Sequence, residues 1–178
     1  MTTLQEKYAK DVAPALRRKF GRANVMASPR IVKAVINAGV GRLREDKDRQ
    51  DIEKHLALIT GQKPAPRKAK KAIAAFKTRL GLVIGYQTTL RGRRMYDFLE
   101  RFVRIALPRR RDFLGIPPCS FDPRGNLTVG VREQTVFPEL IGEDYRFLFG
   151  FEVTVATSAK RREEGIELLR LMGFPIRS

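Results

Sequence analysis

The sequence predicts an α+β fold: a single antiparallel or mixed sheet with helices packed on one face and a projecting basic loop. Three observations lead there. Apolar residues recur at helical spacing in four segments, most clearly over 93–107. They alternate with polar or small residues in four others, near 30–38, 82–91, 126–132 and 151–157. The two kinds of segment are interspersed, in the order helix, strand, helix, basic segment, strand, helix, loop, two strands, helix. The length of 178 residues suits one domain spanning 1–178.

The first helix, 3–20, carries Leu4, Tyr8, Val12 and Leu16 four residues apart, with Pro14 inside it and Gly21 as its stop. Strand 30–38 sets Val32, Ala34, Ile36 and Ala38 toward the core and Ile31, Lys33, Val35 and Asn37 on the other face. Gly39-Val40-Gly41 then turns the chain. Helix 46–60 presents Ile52, Leu56 and Ile59 inward. Asp46, Asp48 and Asp51 sit near its positive end, and Gly61 closes it. Strand 82–91 places Leu82, Ile84, Tyr86, Thr88 and Leu90 inward; Val83, Gly85, Gln87, Thr89 and Arg91 face away. Helix 93–107 buries Met95, Phe98, Leu99, Phe102, Val103 and Ala106 and stops at Pro108. Prolines 117, 118 and 123 make 108–125 a loop. Strand 126–132 turns Leu127, Val129 and Val131 inward, and strand 151–157 does the same with Phe151, Val153 and Val155. The last helix, 159–172, points Ile166, Leu169 and Met172 inward before Gly173 and Pro175.

Composition narrows the function. The formal charge is +17 and the isoelectric point about 10.8, which calls for a polyanionic partner. Nucleic acid is the first choice and an anionic membrane surface the rival. No apolar run approaches the ~20 residues that span a bilayer. Met1 to Lys10 holds no apolar core of a secretory signal, so a cytoplasmic protein is expected. One cysteine, Cys119, excludes a disulfide within the chain; with a single histidine, His55, no zinc site of ordinary composition can be built.

The charge is unevenly spread. Residues 112–157 hold seven acids and three bases, net −4, and residues 158–178 are net +2, which leaves +19 on residues 1–111. The densest stretch, Gln62 to Arg79, holds Lys63, Arg67, Lys68, Lys70, Lys71, Lys77 and Arg79 and no acid. It reads as a basic loop or arm that threads phosphates. Phe76 within it either packs in the core or projects from a loop tip to stack on a nucleotide. On the outward sheet face, Lys33, Asn37, Gln87, Thr89 and Arg91 offer donors and acceptors for phosphate, 2′-hydroxyl and base edges. That face has almost no aromatics, so backbone and shape are read rather than stacked bases.

Catalytic signatures fail. The third glycine of a dinucleotide fingerprint starting at Gly39 is replaced by Arg44, and no Walker loop occurs. His55 reads as a packing residue, and no pair of acids is marked for proton transfer. The chain is expected to be a non-enzyme without cofactor. The remaining alternatives are a basic RNA-modifying enzyme and an anionic-membrane-binding protein.

Five segments, SPRIVKAVINAGVG (28–41), TGQKPAPRKAKKAIAAFKTRLG (60–81), IGYQTTLRGRRMYDFLERFVRIALPRRRDFLG (84–115), SFDPRGNLTVGVREQTVFPE (120–139) and TSAKRREEGIELLRLMGFP (157–175), together resemble one family in order and over essentially the whole chain. It is the bacterial large-subunit ribosomal protein number five, the 5S rRNA-binding ribosomal protein family. The resemblance implies a structural role in the central protuberance, in the cytoplasm. The implied partners are 5S rRNA, 23S rRNA, the P-site tRNA, the small-subunit head protein number thirteen and neighbouring large-subunit proteins. It carries 5S rRNA contacts onto Lys33, Asn37, Gly39, Gln62, Lys63, Thr89 and Arg91, to which the basic stretch adds Arg67, Lys68, Lys70 and Lys71. It assigns the segment Ala74 to Gly81 to the tRNA, with Phe76, Lys77, Thr78 and Arg79 as contacts. For the bridge to the small subunit the candidates are Arg109, Arg110, Arg111, Asp112, Glu143 and Asp144, since an acid-rich segment suits a basic partner.

Overall fold

A computed structural model of the chain describes residues 3–22, 24–41, 43, 45–76, 78–111, 113–142 and 148–177. Five strands, β1 (Ile31–Gly39), β2 (Ala65–Lys68), β3 (Val83–Leu90), β4 (Leu127–Val131) and β5 (Phe151–Thr157), form one antiparallel sheet in the order β2-β3-β1-β5-β4. Four helices pack with it, so the fold is α+β. They are α1 (Leu4 to Phe20), α2 (Asp46–Thr60), α3 (Gly92–Arg101, continued by Phe102–Ala106) and α4 (Arg162–Met172).

Two of the helices widen by one residue per turn, each just before a proline. In α1 the stretch Tyr8–Val12 is π-helical and the Ala13 amide bonds the Tyr8 carbonyl; Pro14 follows. In α3 the stretch Phe102–Ala106 is π-helical and the Leu107 amide bonds the Phe102 carbonyl at 2.9 Å; Pro108 follows. A proline ring collides with the carbonyl four residues earlier and has no amide hydrogen to give it. Widening the preceding turn moves that carbonyl aside; α1 then runs on past Pro14 to Phe20, whereas α3 ends before Pro108. Pro14 therefore reshapes α1 without breaking it.

The chain divides into two compact units. The first comprises Met1–Ala34, Leu90–Val129 and Thr154–Ser178. In it α1 packs against α3 and α4, and the six apolar residues expected of α3 are all buried. Leu4, Val12 and Leu16 of α1 join them, while Tyr8 is half-buried and its hydroxyl donates to the Pro29 carbonyl at 3.1 Å. The inward side of α4 is Gly165, Leu168, Leu169 and Met172; Ile166, expected inward, is only half-buried. Arg22 pairs with the buried Glu164 carboxylate, joining the exit of α1 to the start of α4.

The turn FDPRGN in this unit is a clasp. The Asp122 carboxylate accepts from the Arg124 amide at 2.9 Å, the Asn126 amide at 2.7 Å and the Asn126 side chain at 2.7 Å. Partial burial pushes the Asp122 carboxyl up, but these hydrogen bonds, from Asn126 and then Arg124, with the nearby Arg124 charge, outweigh it and hold the group below the ordinary aspartate value. The Asn126 side-chain oxygen accepts from the Thr157 amide at 2.8 Å, and the Thr157 hydroxyl donates to the Gly125 carbonyl at 3.0 Å. Gly125, at φ +78°, thereby lies against Gly165 of α4.

The second unit comprises Val35–Thr89 and Gly130–Val153. Its core holds Ile52, Leu56 and Ile59 of α2, as expected, with α2 packed on the turn Pro138–Leu140. His55 is buried and stacks on Phe149, rings 6.2 Å apart and 2° from parallel, so it is a packing residue. Gln134, fully buried, accepts from the Phe149 amide at 2.8 Å.

Three further sequence expectations are corrected. The stretch 62–79, read as a basic loop or arm without assigned pairing, contains a strand: Ala65–Lys68 pairs antiparallel with β3. Its four residues are all exposed, so it has no buried stripe to betray it. On β1, Ile31 is buried and Val32 exposed, the reverse of expectation, whereas Ala34, Ile36 and Ala38 are buried as expected. On β3 the inward set starts at Tyr86; Ile84 is exposed and Leu82 half-buried.

Candidate nucleic-acid interface

The basic segment is the outer arm of a long β-hairpin in the second unit. The register runs Ala65 opposite Gln87, Pro66 opposite Tyr86, Arg67 opposite Gly85, then slips by a residue so that Lys68 meets Val83. Pairing continues outward. The Ala69 amide bonds the Leu82 carbonyl at 2.8 Å, the Gly81 amide bonds the Ala69 carbonyl at 3.1 Å, and Ile73 and Thr78 pair beyond them. A short 3₁₀ turn, Ala74–Phe76, caps the arm. β2 is the sheet edge, where a proline costs no ladder bond; Pro66 and the lysines also discourage edge-to-edge pairing with another chain.

The arm is strongly cationic. Arg67, Lys68, Lys70, Lys71 and Arg79 are all exposed, and no acid among the described residues pairs with any of them. The Arg67 Nε donates to Gln87 Oε1 at 2.6 Å, which fixes both side chains on the outward face. Lys63 is exposed and lies 3.6 Å from Glu53, a solvated pair that holds it weakly. Gly61, left-handed at φ 66°, ends α2 and delivers Gln62, half-buried, and Lys63 to this side. Lys63 there sits near the negative end of the α2 dipole.

The same unit supplies the neutral members of the set. Asn37 and Gly39 on β1 are exposed, and nothing lies within 4 Å of where a Gly39 side chain would start, so that surface is open. Thr89 is half-buried near the end of β3. Beside them Gly85 lets β3 run close to β1: a Cβ on it would sit 3.1 Å from the Ala38 carbonyl oxygen. At the tip Phe76 is 75% exposed, which removes the core reading and leaves a projecting ring. Thr78 is half-buried and Arg79 exposed; Lys77 lies outside the described residues. Ile73 and Leu80 are exposed near Phe76 in the sequence, an apolar element that the residue-by-residue reading missed. Its only sequence trace is two large aliphatics in an otherwise basic run.

Lys33, Arg91 and Arg109 to Arg111 belong to the first unit. Lys33 is half-buried on β1 and Arg91 is exposed between β3 and α3. Arg109 and Arg111 are exposed, and Arg110 lies over the Phe113 ring at 5.6 Å, a cation–π contact. Asp112, Glu143 and Asp144 lie outside the described residues.

Comparisons with known proteins identify the family. The family model "Ribosomal protein L5" matches residues 24–79, and the model of the C-terminus of the same ribosomal family matches residues 83–176. The large ribosomal subunit protein uL5 of Halothermothrix orenii is 48% identical over 176 residues, 98% of each chain. That of Rubrobacter xylanophilus is 47% identical over 178 residues, 99% of each chain. That of Streptococcus thermophilus is 49% identical over 173 residues, 97% of this chain and 96% of the relative. Two family models side by side and relatives of matching length place the chain in the ribosomal protein L5 family, as a non-enzymatic structural constituent of the cytoplasmic large ribosomal subunit.

Proposed function

We propose that the chain anchors 5S rRNA in the large subunit through the outward face of β1 and β3 and the base of the hairpin arm. The observation that carries this reading is the arm itself: an edge hairpin whose exposed cations have no described acidic partner, next to an open strand face bearing Asn37 and Gly39. Lys63, Arg67, Lys68, Lys70 and Lys71 neutralise phosphates; Asn37, Gln62, Thr89, Lys33 and Arg91 set register on backbone and 2′-hydroxyls. The Arg67–Gln87 bond supports it by holding a guanidinium in place before RNA arrives, so less side-chain freedom is lost on binding.

The hairpin tip takes a different RNA surface, the P-site tRNA, through Phe76, Lys77, Thr78 and Arg79. An exposed ring flanked by cations suits stacking plus phosphate contact. Arg109, Arg110, Arg111, Asp112, Glu143 and Asp144 serve the bridge to the small-subunit head protein number thirteen, and 23S rRNA supplies a further contact.

A gel shift against 5S rRNA, with tRNA as competitor, tests the primary claim. A specific complex that tRNA displaces only in large excess is expected; equal displacement by tRNA and 5S rRNA would remove 5S specificity from the account.

A further inference from the structure

Resting on the reading of the hairpin base and strand face as the 5S rRNA site, we infer that Thr60 is a positioning residue for that site. Its buried hydroxyl holds the Gln62 backbone and so fixes where the Gln62 side chain meets the RNA.

Thr60 is the last residue of α2 and is 3% exposed, too little to touch RNA itself. Its hydroxyl oxygen lies 2.7 Å from the Leu56 carbonyl oxygen and 2.9 Å from the Gln62 carbonyl oxygen, and its one proton is shared between them. The Gln62 amide donates back to the hydroxyl at a longer 3.4 Å. The Leu56 contact is ordinary helix behaviour, a threonine hydroxyl bonding the carbonyl four residues earlier. The Gln62 contacts are different. They reach across Gly61, beyond the end of the helix, and hold both backbone polar groups of the residue that follows.

The exit from α2 calls for such a hold. Gly61, left-handed at φ 66°, is the residue type with the widest backbone freedom. Lys63 is exposed, and its solvated pair with Glu53 fixes it weakly. Further on the chain is pinned again. Pro64 is buried and restricts Lys63 to extended backbone, and Ala65 opens β2 opposite Gln87. Gln62 and Lys63 are thus strung between two buried anchors, Thr60 and Pro64. A Gln62 backbone set before RNA arrives loses less freedom on binding.

Two substitutions separate the hydroxyl from the bulk of the side chain, since serine keeps the first and valine the second. The full chain is titrated with transcribed 5S rRNA, and circular dichroism checks the fold. Thr60→Val should bind about three- to tenfold more weakly, the effect of roughly one hydrogen bond. Thr60→Ser should bind as wild type does. Gln62→Ala should also bind more weakly, and adding Thr60→Val to it should cost no more than about a further twofold, because the two residues act as one unit. Should Thr60→Val misfold, Thr60→Ala takes its place in the same comparison.

Wild-type affinity in the folded valine or alanine variant overturns the inference. So does a serine variant as weak as the valine one, and so do losses that simply add in the double variant. Each of these leaves the 5S reading standing, because the wild type binds. A wild-type chain that does not bind 5S rRNA overturns the proposed function, and this inference with it.

Discussion

Gly125 and Gly165 touch backbone to backbone: a Cβ placed on Gly165 would lie 2.5 Å from the Gly125 Cα and nearer still to its carbonyl oxygen. This contact seats the FDPRGN turn on α4 and leaves no room for a side chain. Gly165→Val should therefore destabilise the chain by about 1–3 kcal/mol, as overpacking does. For a chain of this size each kcal/mol lowers the melting temperature by about 2–4 °C. Thermal unfolding checks it; a melting temperature equal to wild type would mean that the two backbones are not in contact.

Asp122 gives the clasp a pH dependence. Its folded carboxyl titrates below the ordinary aspartate value. The stabilisation is therefore fully present above that ordinary value and is lost as pH falls through it toward the lower, folded value. Asp122→Asn should flatten the acid limb of the stability curve, and at neutral pH should cost about 1 kcal/mol for weakened hydrogen bonds to amides. Melting curves from neutral to strongly acidic pH decide the matter, and parallel acid limbs for the two proteins would refute it.

Phe76 is solvent-exposed, so Phe76→Ala should change stability by no more than ~0.5 kcal/mol. Deleting Ala74–Gly81 should spare 5S binding and weaken tRNA binding in the P site of reconstituted ribosomes. Abolished 5S binding in the deletion would move the tip into the primary site.

Asn37→Ala and Arg91→Ala should each weaken 5S binding, by about three- to tenfold for one lost hydrogen bond or charged contact. Unfolding curves should coincide with wild type because both side chains are exposed. Full affinity in both variants would dismiss the strand-face assignment.

What was legible in the sequence follows burial. The α3 set from Met95 to Ala106 lies wholly inside, and α2 begins and ends where its acids and Gly61 indicate, because a one-sided apolar stripe at helical spacing is a strong signal. β2 carried no such signal: an edge strand exposed on both faces and containing a proline alternates nothing. Ile84 misled because β3 buries only part of its length, and Ile31 because it is buried on the opposite parity from Ala34, Ile36 and Ala38, which simple alternation does not anticipate. The π-turns before Pro14 and Pro108 have an evident cause once seen, yet a proline within a helical pattern predicts a break as readily as a widened turn. The cationic arm was legible as charge; the pairing that stiffens it, and the exposed Phe76 at its end, were not.

The central claim is that exposed cations on the hairpin and strand face neutralise 5S rRNA phosphates, and the salt dependence of 5S affinity tests it most directly. With about six phosphates neutralised, affinity should fall roughly a thousandfold between 50 and 200 mM monovalent salt. An affinity nearly independent of salt over that range would contradict the account.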